Sequence, residues 1–204
     1  MRRAWIPAVM AVAAAACGAP QQPVSPPAGD VAAAPIDKAG PRYGLGRSAD
    51  AARIAAVDID VGADGSGLPA GRGSVADGEK LYQAQCANCH GARGEGIVPV
   101  YPALIGREPR EGFPFGNDPK LVRTVGNYWS HATTLVDYVR RAMPLTAPGS
   151  LTNDQVYAVS AYLLAANEII ARDAVLDSAA VMAIQMPAKD RFVPDDRRGG
   201  PEVK

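Results

Sequence analysis

Apolar residues recur at three- and four-residue steps through Val156, Val159, Leu163 and Ala166, which predicts a helix over 153–169 opening at Leu151-Thr152-Asn153-Asp154. A second helix is predicted over Val75–Gln85, with Ser74 as N-cap and Asp77 and Glu79 in its first turn, where acidic side chains suit the positive end of the helix dipole. A third spans Ala132–Ala142. Ala51, Ala52, Ile54, Ala55 and Val57 suit one short helix within 49–59, after which Asp64-Gly65, Gly67, Gly71 and Gly73 mark turns.

The two ends read differently from the middle. Arg2-Arg3, an apolar run over 4–16 broken only by Pro7, and then Cys17-Gly18 form an export signal; spanning a bilayer takes about 20 apolar residues, and this run is shorter. Ala14-Ala15-Ala16-Cys17 resembles a bacterial lipoprotein box, which makes Cys17 a lipidation candidate; ordinary cleavage near Ala16 or Ala19 is the alternative. From 17 to 41 the chain is Ala, Pro, Gln and Gly without apolar periodicity, a composition that cannot bury enough surface to offset chain entropy, and it reads as a flexible linker. An irregular extension over 42–73 and a tail over 171–204 flank the region 74–170. Ile54, Val57, Ile59 and Leu68 in one, and Val175, Leu176, Val181, Met182 and Ile184 in the other, are too apolar for free tails. Either they pack on the middle region, or part of them also grips a partner.

Composition narrows the chemistry. The 204 residues carry 21 basic and 21 acidic side chains, a balance that argues against nucleic-acid binding. Gly 21 and Pro 18 point to long irregular connections, and two Trp, seven Tyr and three Phe are few for a core. Three Cys and two His suffice for one small metal or cofactor site and are too few for a disulfide scaffold.

Cys86-Ala87-Asn88-Cys89-His90 is C-x-x-C-H, the attachment pattern of c-type haem. Two thiols at this separation match the two vinyl groups on one edge of the macrocycle, and the adjoining His falls beneath the iron as an axial ligand. The competing readings are a zinc half-site, which needs more ligands than Cys17 and His131 readily add, and a thioredoxin-like pair, which wants a βαβ context the pattern does not provide. Haem attachment outside the cytoplasm agrees with the export signal.

The flanks resemble class I cytochrome c, which implies an all-α fold around one covalent haem, with irregular N-terminal and C-terminal extensions. Gly78 and Tyr82 stand eight and four residues before Cys86, like the Gly and aromatic of that family's N-terminal helix, and Ala161-Tyr162-Leu163 resembles the signature near the end of its C-terminal helix. The resemblance implies that these helices cross, with Val159 and Tyr162 against Gly78 and Tyr82. Tyr101-Pro102-Ala103-Leu104-Ile105-Gly106 resembles the family's Pro-x-Leu-x-Gly segment. That implies a Pro102 carbonyl supporting the His90 ring and Leu104 packing on the haem. Met143-Pro144, 53 residues after His90, resembles the Met ligand loop and makes Met143 the implied second axial ligand. Met182 and Met186 lie beyond the closing helix, and His131 reads as a surface residue at a helix start rather than a ligand. Tyr128 and Trp129 are implied donors to a haem propionate.

A narrower resemblance rests on Asp58-Ile59-Asp60-Val61, Asp64-Gly65-Ser66-Gly67-Leu68-Pro69, Thr124-Val125-Gly126-Asn127-Tyr128-Trp129, Ala132-Thr133-Thr134-Leu135 and Arg140-Arg141-Ala142-Met143-Pro144. These look like the SoxD-type cytochrome subunits of sulfur-oxidation dehydrogenases, the partners of a molybdenum-dependent sulfane or sulfite dehydrogenase. Two departures stand out: the chain has one haem motif where some members have two, and His131 replaces an expected aromatic. With His90 and Met143 both bound, no iron position stays open, so the resemblance implies a periplasmic single-electron carrier. It would be reduced by the molybdoenzyme and oxidised by a downstream cytochrome or oxidase. A general shuttle and a haem enzyme or gas sensor with an open iron site are the alternatives.

Overall fold

A computed structural model describes residues 45–193. The expected signal segment 1–16, Cys17 and the linker 17–41 lie outside the described residues. Helices run over Ala51–Val57 (α1), Val75–Gln85 (α2), Ala87–His90 (α3), Ala132–Ala142 (α4), Asn153–Ala166 (α5) and Ser178–Ala183 (α6). Two-residue strands at Gly73–Ser74 (β1) and Val175–Leu176 (β2) pair antiparallel, Gly73 opposite Leu176. The described part is thus helical, as expected, with its sheet reduced to one clasp. None of the described helices is long and apolar enough to cross a membrane.

The α2–α5 crossing organises the core. Ser74 caps α2, its hydroxyl accepting the Asp77 N–H at 3.1 Å; Glu79 falls beyond the first turn, leaving Asp77 as the acidic residue there. A capping box opens α5, the Gln155 N–H donating to Thr152 Oγ1 and the Thr152 N–H to Gln155 Oε1. The helices touch at Gly78, where a methyl group would overlap the Ala158 carbonyl and reach Tyr162 Cβ. A residue with no Cβ is what permits this approach. The backbone carbonyl of Ala158, rather than the expected Val159, is what lies nearest Gly78 on α5, together with Tyr162. Tyr82 and Tyr162 meet beside it, ring centroids 5.0 Å apart and planes tilted by 41°. Tyr82, Val156, Tyr157 and Leu164 are fully buried here, and burying such a side chain contributes about 1.5–3 kcal/mol.

Helix α5 stops at Ala166, three residues short of the predicted end. Asn167 caps it and Glu168 follows at φ 58°, a left-handed turn that no helix continues.

Helix α4 buries Leu135, Val136 and Val139, and also Asp137. The Asp137 carboxylate accepts the Val61 N–H at 2.8 Å and pairs with Arg141, while Arg140 donates to the Ile59 carbonyl at 2.8 Å. The N-terminal extension is thereby clipped to α4, and farther along to α5, where the Tyr157 hydroxyl donates to Pro69 O and the Arg72 N–H to Asp154. Helix α1, by contrast, has no buried residue, and Ile54 and Val57 are exposed. Past α5, Leu176, Val181 and Met186 join the same core as Tyr82 and Leu164. Met186 is a buried core thioether, whereas Met182 is half exposed with its sulfur over Gly65.

Candidate functional site

Helix α2 ends at Cys86, and the chain at once turns through the single turn α3. Within that turn the Cys89 and His90 N–H groups both donate to Cys86 O, at 3.1 and 2.9 Å. Residues three and four apart on a helix share a face, so both thiols and the imidazole issue from one side of this turn. Burial, and then the neighbouring Cys89, push the Cys86 thiol up to about 11. Both cysteines are unpaired and half-buried. The Tyr82 hydroxyl donates to Gly91 O at 2.8 Å and Gln83 to Ala92 O at 2.9 Å, tying the end of the turn back to α2.

His90 is held from the side. Its Nδ1 lies 2.9 Å from Pro102 O, and the Tyr101 ring sits edge-on to it. A carbonyl only accepts, so Nδ1 carries the proton and Nε2 keeps the free lone pair a metal needs. The loop that brings Pro102 back is folded on itself: Gly96 N–H donates to His90 O, and Gly94 O accepts from both Leu104 N and Ile105 N. Gly96 adopts φ 78° with Ala103 N too close for a Cβ, so glycine is required there.

The donor set decides among the readings of the motif. Among the described residues no group of three or more His, Cys, Asp or Glu side chains comes together for a metal, so a zinc site has no third ligand. Among the described residues the one sheet is a two-residue clasp, which gives no thioredoxin-like context there. Two unpaired thiols and an imidazole with one lone pair directed away from its Pro102 contact fit covalent haem.

The family model for cytochrome c matches residues 75–167. A chain of the sulfane dehydrogenase SoxCD from Paracoccus pantotrophus superposes with a TM-score of 0.65 at 38% identity, over 76% of this chain and 74% of that one. The chain belongs to the cytochrome c family. Its cofactor is covalently bound haem c. The cytochrome is also 32% identical to thiosulfate dehydrogenase of Allochromatium vinosum over 43% of its own length, and 29% identical to thiosulfate dehydrogenase of Stutzerimonas stutzeri over 47%. It spans 29% and 28% of those two proteins, under a third of each.

The remaining candidates fall in different surroundings in this cytochrome. Leu104 and Trp129, like Cys86, pack half-buried on the main core. Met143 is half-buried at the C-cap of α4, its N–H donating to Val139 O at 3.3 Å. Tyr128 sits in an aromatic cluster, stacked on Phe113 at 5.4 Å and edge-on to Phe115 and Phe192, with the Arg123 guanidinium over its ring. Trp129 meets Tyr138 edge to face, and Tyr128 and Trp129 together line a cavity of about 260 Å³. His131 precedes α4 with Nδ1 2.9 Å from the Ser130 hydroxyl.

Sequence reasoning passed over Asn167. It is fully buried, and its amide reaches across the cytochrome to the Leu104–Gly106 strand of chain that follows Pro102. Asn167 and Glu168 stand together as polar residues between Ala166 and Ile169, and the sequence does not mark which of them turns inward.

Proposed function

We propose that this cytochrome carries single electrons in the periplasm, taking them from a molybdenum-dependent sulfane or sulfite dehydrogenase subunit and passing them to a downstream cytochrome or oxidase. Cys86 and Cys89 would hold the haem by thioether bonds, and His90 Nε2 and Met143 would ligate its iron. When bound, the haem supplies a reversible one-electron iron couple. The observation that carries the reading is the His90 Nδ1 to Pro102 O contact of 2.9 Å on the same turn as two unpaired thiols. The protein's own part is to fix that ring by its Nδ1–H, to wall the site with Leu104 and Trp129, and to present Met143 from the end of α4. The SoxCD neighbour, which extends well beyond the family-model region, supports the choice of electron donor. The basic start, apolar run and Cys17 of the first 17 residues support export and lipid anchoring.

The names of the curated relatives favour one competitor, a haem enzyme acting on thiosulfate with an exchangeable iron position. Isolating the haem-loaded protein from its own cells, with its partners, separates the two. A carrier co-purifies with the molybdoenzyme, is reduced by it on addition of sulfite or a sulfane substrate, and has a ferrous spectrum indifferent to carbon monoxide. Thiosulfate turnover by the isolated cytochrome, with a carbon monoxide-sensitive spectrum, would overturn the proposal in favour of the enzyme.

A further inference from the structure

Asn167 makes more bonds than a helix cap requires. Its backbone N–H already donates to Leu163 O and Ala165 O, which closes α5. The side chain then does something else. Oδ1 accepts the Gly106 N–H at 2.8 Å, and Nδ2 donates to Leu104 O at 3.1 Å as well as to Leu163 O at 2.8 Å. All five of these amide and cap contacts lie in a site with no solvent exposure at Asn167, where an unmatched polar group would be costly.

The segment so gripped is the one whose Pro102 carbonyl meets His90. Gly94 O holds it on the opposite edge, at Leu104 N and Ile105 N. Thr124, itself buried, donates its hydroxyl to Gly106 O at 2.5 Å, and the Val125 N–H donates to Leu104 O. Residues 104–106 are therefore clamped between the Cys86–His90 turn and the far end of α5. Pro102 is two residues from the clamp and has no freedom to swing its carbonyl away from the imidazole.

We propose that Asn167 is a positioning residue for the iron site, setting the hydrogen bond between His90 and Pro102 and through it the reduction potential. The inference rests on the reading of His90 as an axial ligand. A hydrogen bond from Nδ1–H to a carbonyl makes the imidazole a stronger donor, and a stronger donor favours ferric over ferrous iron. Loosening the clamp lengthens that bond, weakens the donor and raises the potential.

The test uses the haem-loaded protein and two substitutions. Asn167→Ala removes the amide; Thr124→Val keeps the shape of its side chain and loses only the bond to Gly106 O, so it assembles even where the first does not. Each is measured by redox titration and by the ring-proton resonances of His90, Nδ1–H included, in NMR spectra of both oxidation states. Asn167→Ala is expected to raise the potential and displace the Nδ1–H resonance, and Thr124→Val to do the same by less. Lowered melting temperatures with the potential and the Nδ1–H resonance unmoved would overturn the proposal and leave Asn167 a helix cap. Unmoved values in Thr124→Val alone, where Asn167→Ala fails to assemble, would overturn it equally. If His90 shows no hyperfine-shifted ring protons in the ferric wild type, the ligand reading has failed, a result distinct from either.

Discussion

The chain around His90 and the chain around Met143 are supported in different ways. His90 is bound through its ring to Pro102, through its carbonyl to Gly96 and through its N–H to Cys86, all within a local web that Tyr82 and Gln83 tie back to α2. Past Met143, the run 145–150 is exposed, and its backbone bonds, Ala147 to Pro144 and Ser150 to Ala147, are internal turns. Met143 is placed instead by the helix it ends. That helix is held in turn by Asp137 and Arg140, which grip Val61 and Ile59 of the N-terminal extension. One proposed ligand position is fixed by its neighbours in sequence, the other at second hand by residues some 80 positions earlier. The extension is thus part of the Met143 side of the molecule, and the question of carrier or enzyme turns on that side, where a ligand could be exchanged without disturbing the rest.

The sharpest way to break this comparison is to remove each ligand. His90→Ala is expected to leave almost no haem-loaded protein, since the web around the ring loses its centre. Met143→Ala should still take up haem and fold, but lose the sulfur-to-iron charge-transfer band and become sensitive to carbon monoxide. Haem-to-protein ratio and optical spectra read both. Equal loss of haem in the two variants would show that the Met143 side is no looser.

Next in size is Gly78→Ala. The added methyl group must displace the Ala158 carbonyl, which is backbone and cannot rotate aside. Overpacking of this kind costs about 3 kcal/mol, and the melting temperature should fall by about 10 °C. The α2–α5 crossing joins the turn bearing His90 to the helix bearing Asn167, so the His90 Nδ1–H resonance should shift with it. A variant as stable as wild type would mean that the helices do not meet at Gly78.

Much of this was legible beforehand because it is local. Ser74, Thr152 and the three- and four-residue steps mark helix starts whose physics lies within a few residues, and C-x-x-C-H marks its chemistry by spacing alone. What escaped notice is tertiary. Ile169 and Ile170 continue an apolar pattern, so nothing nearby reveals that Asn167 ends α5 by bonding residues 104 and 106. Val159 fits the helical stripe, and nothing local reveals that the backbone carbonyl of Ala158 is what meets Gly78. Strands of two residues, Gly73–Ser74 and Val175–Leu176, are too short to leave an alternating pattern. Met186 carries no mark that distinguishes a core thioether from a ligand; its burial beside Leu176 and Val181 does.

Asp137 tests the link between the extension and the Met143 side. The bonds from Arg141 hold its carboxyl below the usual 3.8, the Val61 N–H adding to the effect against the cost of burial. A carboxyl depressed by folding contributes stability that is complete above its unfolded value, about 3.9. That contribution is lost as pH falls through the lower folded value. Asp137→Asn is expected to cost about 1 kcal/mol at neutral pH, modest because Arg141 is half exposed. The difference between wild type and variant should be constant above about pH 5 and shrink below about pH 4. A difference that persists in acid would assign the loss to packing rather than charge.

The smallest effect is expected from the part of the extension that buries no residue. Helix α1 is seven residues long with no residue buried. A helix that short is marginal in water without tertiary support, since nucleation fixes several residues for one hydrogen bond. Its removal therefore takes away almost no folded-state stability. Deleting residues 45–57 should leave the melting temperature within about 2 °C of wild type and leave the charge-transfer band of Met143 intact. Extending the deletion through Val61 removes the donor to Asp137 and the carbonyl that Arg140 holds, and should lower the melting temperature by an amount resembling or exceeding that of Asp137→Asn. The band should weaken in the longer deletion alone, because only that one releases α4. If the shorter deletion destabilises the protein as much as the longer, the support for Met143 begins earlier in the chain than Ile59, and α1 has a contact of its own.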